Sequence, residues 1–326
     1  LFIKKYLPLE GEVRDQKGRL NNSYVVDVTK GDGGIYLNDA GRRVFDKLVT
    51  YYVDGDREKI LKTMTETVDL ATGSTLKREI KSVDGTIAEI QFEYDHQFGG
   101  NIFVSVASKV TTRVNGEVVK ISVFDKGSVD LKTKRFSYKT EYYWDFKDEI
   151  IFRKEREVMD LETGTILEKQ FTAPNGTDIR IIYEYDPNNG GDRLLGVASR
   201  VTTYGDGKIA KISRLDGISY EPVSGLQKAK SVDMKTEYFL DYGADPTQQI
   251  LFKEMREHVD VQSGSIVRQE LQTTDATPTS IEVLFDYSGA GNVFLSKAAG
   301  VKTLVNGKIV KSSAIRKMYF LRAFPV

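Results

Sequence analysis

Aspartate is the residue type with potential chemistry that recurs in this chain at fixed spacing. Each recurring aspartate stands where alternating apolar residues meet turn-forming residues. At such strand ends, aspartate either caps the turn backbone or supplies the hard oxygen ligands that Ca²⁺ prefers. The pattern favours capping, with one calcium site per unit as the alternative. The three triplets are Asp54, Asp145 and Asp241; Asp69, Asp160 and Asp260; and Asp95, Asp186 and Asp286.

The stretch KGDGGIYLND, residues 30–39, is the best local candidate for a metal site. Asp32 and Asp39 offer carboxylates of the kind that bind Ca²⁺, but the regular acidic alternation of known calcium loops is missing. We therefore expect no cofactor, with calcium at Asp32 and Asp39 as the alternative. The histidines His96 and His258 occupy no repeated position, and we predict a surface turn residue and a strand residue.

Catalytic motifs are absent from the sequence. It contains no Gly-x-Ser-x-Gly, no phosphate-binding loop, no dinucleotide fingerprint and no His-Glu-x-x-His. The chain has no cysteine, which excludes disulfides, thiol catalysis and thiolate metal sites. A glycosidase-like carboxylate pair at the repeated aspartates would imply three equal active sites, which enzymes rarely have. We therefore predict that the protein is not an enzyme.

Charge and hydropathy limit the partners. Lys plus Arg and Asp plus Glu each total 47, so the chain has no net basic charge with which to attract nucleic acid or anionic lipid. Hydrophobic residues make up 40% of the chain at a mean hydropathy of −0.36, so apolar and polar residues must be interleaved. No run approaches the roughly 18 consecutive apolar residues of a membrane helix, so we predict no transmembrane segment.

An internal repeat is the strongest signal in the sequence. VASKVTTRVNGEVVKIS, VASRVTTYGDGKIAKIS and KAAGVKTLVNGKIVKSS follow one another, and the turns DLATGS, DLETGT and DVQSGS precede them. The turn glycines Gly73, Gly164 and Gly264 set a period of 91 and then 100 residues. A second marker reads FEYD, YEYD and then VLFD, which ends at Phe285 and Asp286. The longer second period places extra residues in DGISYEPVSG and YGADPTQQ, which we expect to be loops.

The repeat predicts the division of the chain. Residues 1–48 form a partial N-terminal unit, the tail of a preceding repeat, and residues 49–139 form the first unit. Residues 140–235 form the second unit, and residues 236–326 form the third unit with part of a following strand. The chain is thus expected to begin inside one unit and to end inside another.

Alternation with a period of two predicts antiparallel strands within each unit. Ile179, Ile181, Tyr183 and Tyr185 share one face of a strand, and Asn115-Gly116 is a hairpin turn sequence. Residues 57–69 fit either a helix or a strand, and their threonines favour a strand. We predict an all-β fold of three tandem antiparallel β-meander units of about 91–100 residues. They form either one continuous extended or winding sheet, which we prefer, or tandem β-sandwiches.

One segment resembles a known family. YEYDPNNGGDRLLGVASRVTT, residues 183–203, is similar to the tyrosine–aspartate repeats of Rhs and teneurin shells. The first copy keeps Phe92, Tyr94 and Asp95, and the third keeps only Phe285 and Asp286. The resemblance implies long β-hairpins wound into an extracellular shell and no catalytic residues. Its matching positions are Tyr183, Tyr185, Asp186, Gly191, Arg193 and Leu194.

These observations favour a non-enzymatic structural repeat protein at the cell surface or outside the cell, such as a filament, surface-layer or adhesin component. Incomplete terminal units leave open sheet edges, which pair readily with another strand. We therefore expect self-assembly through Leu1–Val28 and Lys317–Val326. One alternative is a carbohydrate-binding module array that uses the tyrosines of TYYVD, EYYWD and EYFLD, with glycans as partners. Another is a segment of a tyrosine–aspartate β-shell that encloses a further domain.

Overall fold

The computed structural model describes residues 13–14, 20–21, 24–28, 35–53, 56, 58–81, 85–147, 149–173, 175–193, 195–239, 250–272, 279–288 and 291–314. Across these residues the regular structure is β-strand with short 3₁₀ turns, which confirms the all-β prediction. The strands are β1 Val13–Arg14, β2 Leu20–Asn21, β3 Tyr24–Val28, β4 Ile35–Leu37, β5 Arg43–Tyr52, β6 Lys59–Asp69, β7 Thr75–Lys81, β8 Ile87–Glu93, β9 Lys109–Val114, β10 Glu117–Phe124, β11 Arg135–Asp145, β12 Ile150–Asp160, β13 Ile166–Thr172, β14 Asp178–Glu184, β15 Arg200–Gly205, β16 Lys208–Val223, β17 Leu226–Phe239, β18 Leu251–Asp260, β19 Ile266–Gln272, β20 Ser280–Asp286, β21 Gly300–Val305 and β22 Lys308–Ala314.

Neighbours in the sequence are neighbours in the sheet. Every strand from β5 to β22 pairs antiparallel with the next one along the chain. Strands β3 and β4 both pair with β5. The predicted turn Asn115-Gly116 is confirmed, because φ is 51° and 83° at these residues, as a type I′ turn requires. Residues 59–69 form the strand β6, as the threonines indicated.

Twelve of these strands, β6 to β17, form a closed β-barrel, with further strands on either side. The closing contact, here called the seam, pairs Gln227 with Lys59 and Lys228 with Ile60 in a parallel sense. One backbone hydrogen bond, from the Gln227 amide to the Glu58 carbonyl at 2.7 Å, belongs to the seam. The sequence did not predict this closure.

The seam comes from residues that the sequence analysis assigned to a loop. That prediction is wrong for DGISYEPVSG, because most of this stretch lies in β16, a strand of 16 residues. β16 and β17 form a long hairpin with its turn at Ser224-Gly225, and β17 makes the seam beyond that turn. The additional residues therefore lengthen a hairpin until it reaches β6. The second insertion, in YGADPTQQ, lies outside the described residues.

In the third unit, the tyrosine that bonds an earlier strand comes two residues later than the sequence alignment places it. The hydroxyls of Tyr94 and Tyr185 donate to the carbonyls of Thr75 and Ile166, each at 2.7 Å. In the third unit Tyr287 makes the equivalent bond, to Ile266 at 2.6 Å. The sequence alignment placed Phe285 at this position and was wrong by two residues. The three units therefore share this hydrogen bond, although the third tyrosine does not stand at the aligned position.

Candidate functional site

The predicted calcium site is not assembled in the part of the chain that the structure describes. Asp39 is exposed in the turn after β4, and Asp32 lies outside the described residues. Among the described residues, no group of three or more His, Asp or Glu side chains could hold a metal ion. Calcium binding at Asp32 and Asp39 stays a prediction.

The second aspartate triplet caps turns. Asp69 accepts hydrogen bonds from the amide and hydroxyl of Thr72, each at 2.9 Å. Asp160 accepts the same pair from Thr163, and Asp260 accepts it from Ser263. All three aspartates are buried.

The third triplet also caps turns, with Asp95 and Asp286 exposed and Asp186 half-buried. The amides of Gln97, Asn188 and Ser288 donate to Asp95, Asp186 and Asp286, at 2.8, 2.9 and 2.9 Å. Capping by the first triplet stays a prediction: Asp54 and Asp241 lie outside the described residues, and only the backbone of Asp145 is described, at the end of β11.

The two histidines occupy the predicted kinds of position. His96 is exposed in a 3₁₀ turn, and His258 lies in β18. His258 Nδ1 is 2.8 Å from Asp233 Oδ1, and its Nε2 is 3.3 Å from Glu270 Oε1. The imidazole therefore lies between two carboxylates on neighbouring strands, in the third unit alone.

A buried glutamate that repeats in all three units is the main feature that sequence reasoning missed. Glu66, Glu157 and Glu257, here called the repeated glutamates, are 4%, 3% and 1% exposed. Each stands three residues before an aspartate of the buried triplet, on β6, β12 and β18. That constant spacing was visible in the sequence. The glutamates were not predicted to be buried, because a charged residue in an alternating strand normally faces solvent.

Each repeated glutamate is neutralised by one or two cations on other strands of the sheet. Glu66 is 2.9 Å from Lys47 and 2.6 Å from Arg78. Burial alone would raise the pKa of this carboxyl, but the guanidinium of Arg78 and the ammonium of Lys47 outweigh it and lower the pKa. The glutamate therefore stays ionised inside the fold.

The second unit builds a larger charge cluster around Glu157. Lys120 Nζ lies 2.8 Å from Glu157, and Lys169 Nζ lies 3.4 Å from it. A second buried carboxylate, Glu155, lies 3.5 Å from Lys169. Burial would raise the pKa of Glu157, but the two ammonium groups hold it well below its ordinary value. In the third unit Met255 and Gln269 replace Glu155 and Lys169, so the extra acid and the extra base disappear together.

A tyrosine ring completes each cluster. Tyr51, Tyr142 and Tyr238 hold equivalent positions, and each ring has a cation over its face from the next strand. The ring centroids lie 5.1, 4.1 and 4.7 Å from Lys62 Nζ, Arg153 Cζ and Lys253 Nζ. Tyr142 is buried and Tyr238 is half-buried, so the tyrosines of EYYWD and EYFLD do not form the open aromatic face that the glycan alternative requires. These clusters connect strands of the sheet through buried ion pairs.

Each unit contains a six-residue loop, and these three loops are here called the bridge loops. Each is closed by an isolated β-bridge between its first and last residue. Ser74, Thr165 and Ser265 hold the loops from the preceding turn by donating to the carbonyls of Ile102, Arg193 and Val293. The bridge loops are Asn101–Val106, Asp192–Val197 and Asn292–Lys297.

The second and third bridge loops contact the preceding unit at equivalent places. Leu195 packs against Leu61 at the start of β6, and Leu295 packs in the cluster with Tyr142 and Phe152. The ammonium of Lys62 donates to the Leu195 carbonyl at 2.9 Å. Burial in this contact lowers the pKa of Lys62 to about 8. The bridge loops are thus the joints between successive units.

The residues of the tyrosine–aspartate motif lie in or before the second bridge loop and contact residues of their own unit. Tyr185 is buried with its hydroxyl bonded to the Ile166 carbonyl, and Arg193 Nη1 lies 3.2 Å from Asp160. A Cβ on Gly191 would lie 2.8 Å from the Asp186 amide nitrogen, so only glycine fits there without a shift. Tyr183 is half-buried, and Leu194 lies outside the described residues.

The predicted assembly segments are only partly described. Tyr24–Val28 is β3 and pairs with β5, so this part of Leu1–Val28 finds its partner within the chain. Most of the remainder, and all of Lys317–Val326, lies outside the described residues. In the part of the chain that is described, no helix is both long enough and apolar enough to cross a membrane.

Comparison with known proteins assigns no family. No protein-family model matches the chain, and no curated protein matches it. The chain is similar to a solved structure titled "Crystal Structure of TcdB2-TccC3", at 11% identity and a TM-score of 0.11. The alignment covers 91% of this chain but only 17% of that chain. A TM-score this low carries no argument about fold or function.

Proposed function

We propose that this chain is a non-enzymatic structural repeat protein whose β-sheet winds into a wall. Each unit is laid against the unit before it, and the bridge loops form the joints. The observation that carries the proposal is the seam between β6 and β17. The proposal includes the location at the cell surface or outside the cell that the sequence analysis expects.

The direction of the seam supports winding. In an antiparallel meander, strands an odd number of steps apart run in opposite senses, so β6 and β17 would close a simple up-and-down barrel antiparallel. They meet parallel instead, and over a short register. Both strands also continue into other partners, β6 into β7 and β17 into β18. The sheet therefore runs on past the seam rather than ending there.

The buried charge clusters support a mechanical role. Each repeated glutamate is linked to other strands through cations. Threonine and tyrosine hydroxyls also bond Glu157 and Glu257. Hydrogen bonds and ion pairs are stronger in a buried environment, so networks of this kind hold the strands that they connect in one arrangement. Such cross-links suit a wall that has to keep its shape.

Assembly through strand edges, as the sequence analysis expects, is also part of the proposal. β22 pairs with β21, and all seven of its residues are exposed. An exposed strand edge is a template for another strand. A following unit or a second copy could therefore extend the sheet from β22.

Glycan binding remains a second candidate because of two grooves at equivalent places. One is lined in part by Leu76, Phe92 and Tyr94, and the other by Leu167, Tyr183 and Tyr185. The second groove adds three arginines, Arg135, Arg180 and Arg193. Retention on a glycan array that is lost in the variant Tyr183→Ala would support this candidate, and no retention would remove it.

Small-angle X-ray scattering of the purified chain tests the wound wall. A compact body of 326 residues has a radius of gyration of about 20 Å. Three separate sandwiches in a row would have a radius of about 30 Å, with a second maximum in the pair-distance distribution. We expect the compact value and a single maximum. A bead-like curve would refute the proposal.

A further inference from the structure

Two parts that could form a further joint have no partner among the described residues. One is the first bridge loop, and the other is the start of β18, which corresponds to the strand starts on which the other bridge loops pack. In the two internal joints, the apolar residue of the bridge loop is covered: Leu195 is 5% exposed and Leu295 is 9% exposed. Val104, at the equivalent position of the first loop, is 61% exposed, and Phe103 beside it is 75% exposed. The first loop therefore presents an apolar tip to solvent.

The acceptors show the opposite gradient along the chain. An acceptor is the residue at the start of a strand on which a bridge loop packs: Leu61 on β6, then Phe152 on β12, and Phe252 on β18 by equivalence. Leu61 is fully buried, and Phe152 is half-buried. Phe252 is 62% exposed, and its neighbours Ile250 and Leu251 are exposed as well.

The first bridge loop has the shape of the others although its tip is uncovered. Its bridge bonds, between Asn101 and Val106, are 2.7 and 3.0 Å long, and the equivalent bonds between Asp192 and Val197 are 2.8 and 2.9 Å long. Ser74 holds the first loop by donating to the Ile102 carbonyl and lies 2.8 Å from Ser105 Oγ. Little conformational freedom is lost when a loop that is already formed binds a partner.

We propose that the first bridge loop of one copy packs on Phe252 of a second copy of this chain. The inference rests on the proposed function, because it extends the internal joint between units to a joint between molecules. The internal joints specify the chemistry: an aliphatic tip on an apolar acceptor, with a basic residue beside it, Lys62 in the first joint and Arg153 in the second. Lys253 corresponds to Lys62, which bonds the loop carbonyl in the first joint, so Lys253 of the second copy is in place to donate to the Val104 carbonyl of the first copy.

The contact is head-to-tail. The loop is in the first unit and the acceptor is in the third, so each copy that binds leaves one free loop and one free acceptor. Such heterologous contacts produce open chains unless the rotation between copies closes a ring. The expected product is a filament in which successive copies continue the same winding.

Analytical ultracentrifugation of the full chain, from micromolar to millimolar concentration, tests the proposal. We expect the wild-type chain to form oligomers, and Val104→Asp and Phe252→Asp each to weaken association at least about 30-fold, as loss of an interface anchor does. Both side chains are exposed in the single copy, so the melting temperature should not change at a concentration at which the wild type is monomeric. Leu131→Asp is the matched control: Leu131 is 75% exposed but lies outside the loop and the acceptor. It should leave association unchanged.

Mixing the two variants gives a sharper readout. Each variant keeps one intact half of the contact, so the mixture should form dimers and nothing larger. Wild-type chains that stay monomeric throughout the range would overturn the proposal. So would oligomers that both variants leave intact, which is the result expected if copies join by strand pairing alone.

A cysteine pair checks the contact directly, since the chain has no cysteine of its own. Val104→Cys with Phe252→Cys should give a ladder of disulfide-linked oligomers, and Val104→Cys with Leu131→Cys should not. Absence of the ladder, together with a compact scattering curve, would reject the joint between copies and leave the wound wall standing. A bead-like scattering curve would reject the wall itself.

Discussion

Replacing Glu257 by glutamine is a direct test of the buried charge clusters. Four donors surround this carboxylate. Its Oε2 faces Lys211 at 2.6 Å and Thr236 at 3.0 Å, and its Oε1 faces Tyr238 at 2.5 Å and Gln269 at 2.8 Å. Glutamine has the same shape, but its NH₂ group would face two donors in either orientation. The substitution also leaves the charge of Lys211 without its partner.

The expected cost follows from the burial of the pair. Removing one partner of a buried ion pair costs about 3–5 kcal/mol. Lys211 keeps 23% of its side chain exposed and can regain some water, so we expect the lower end, about 3 kcal/mol. At about 2 °C per kcal/mol for a chain of this size, the melting temperature should fall by about 6 °C.

Urea unfolding at pH 7 measures this cost. Glu254→Gln on the same strand is the matched control, because its partner Lys235 is 55% exposed and surface pairs contribute at most about 1 kcal/mol. Adding Lys211→Met to Glu257→Gln removes both charges. The double variant should be about 2 kcal/mol more stable than the sum of the two single effects predicts. A single variant within about 0.5 kcal/mol of wild type, or an additive double variant, would refute the reasoning.

The difference in unfolding free energy between wild type and Glu257→Gln should change with pH in a defined direction. Burial raises the pKa of Glu257, but Lys211 and the surrounding donors outweigh it, so the pKa in the fold is below the ordinary 4.5. A carboxyl with a lowered pKa stabilises the fold above its unfolded value and loses that contribution as the pH falls through the folded value. The gap between wild type and Glu257→Gln should therefore be complete at pH 7 and should shrink below pH 4.5.

Three further predictions follow from the joints and the clusters. Because all three repeated glutamates have lowered pKa values, the urea midpoint of the wild type should fall as the pH drops below about 4.5, and an unchanged midpoint at pH 3 would contradict this. Gly191→Ala should lower the free energy of unfolding by about 1–3 kcal/mol, because its Cβ would meet the Asp186 backbone. Gly205→Ala is the control and should be tolerated, because the nearest contact of its Cβ is 3.5 Å away. Equal melting temperatures for the two variants would count against the close packing. Burial of Lys62 lowers its pKa to about 8, so its ammonium should titrate near that pH in a lysine-labelled NMR experiment, and a value near 10.5 would show that the contact with Leu195 is open in solution.

The strands and turns could be predicted because their signals are local. Alternation marked β14, and Asn115-Gly116 marked a type I′ turn, since both depend on a few adjacent residues. The aspartate caps were predicted correctly for the same reason: a side chain that bonds the backbone two or three residues ahead needs no distant partner.

The seam could not be predicted, because it depends on how far the sheet curls before two strands meet. DGISYEPVSG contains turn-forming residues, but in β16 its Gly217 lies at a register shift within a strand. A glycine or proline pattern does not distinguish a loop from an irregular hairpin. The contact of β17 with β6 spans more than 160 residues of sequence, and no local pattern encodes it.

The repeated glutamates were missed for a different reason. A charge within an alternating strand indicates the solvent side unless its counter-charges are known, and here they stand on other strands. Lys120, for example, is 37 residues from Glu157 in sequence but 2.8 Å away in space. Aligning the three units position by position would have shown the recurring glutamate and, in the second unit, the paired appearance of Glu155 and Lys169.

A cysteine pair across the seam most directly tests whether the sheet winds onto itself. Lys59→Cys with Gln227→Cys places two exposed residues opposite each other in the parallel pairing, within reach of a disulfide. The control pair, Lys59→Cys with Lys235→Cys, moves one partner about 26 Å along β17. We predict rapid intramolecular cross-linking of the seam pair alone, read by mass spectrometry after digestion. Equal cross-linking of both pairs, or of neither, would contradict the wound sheet.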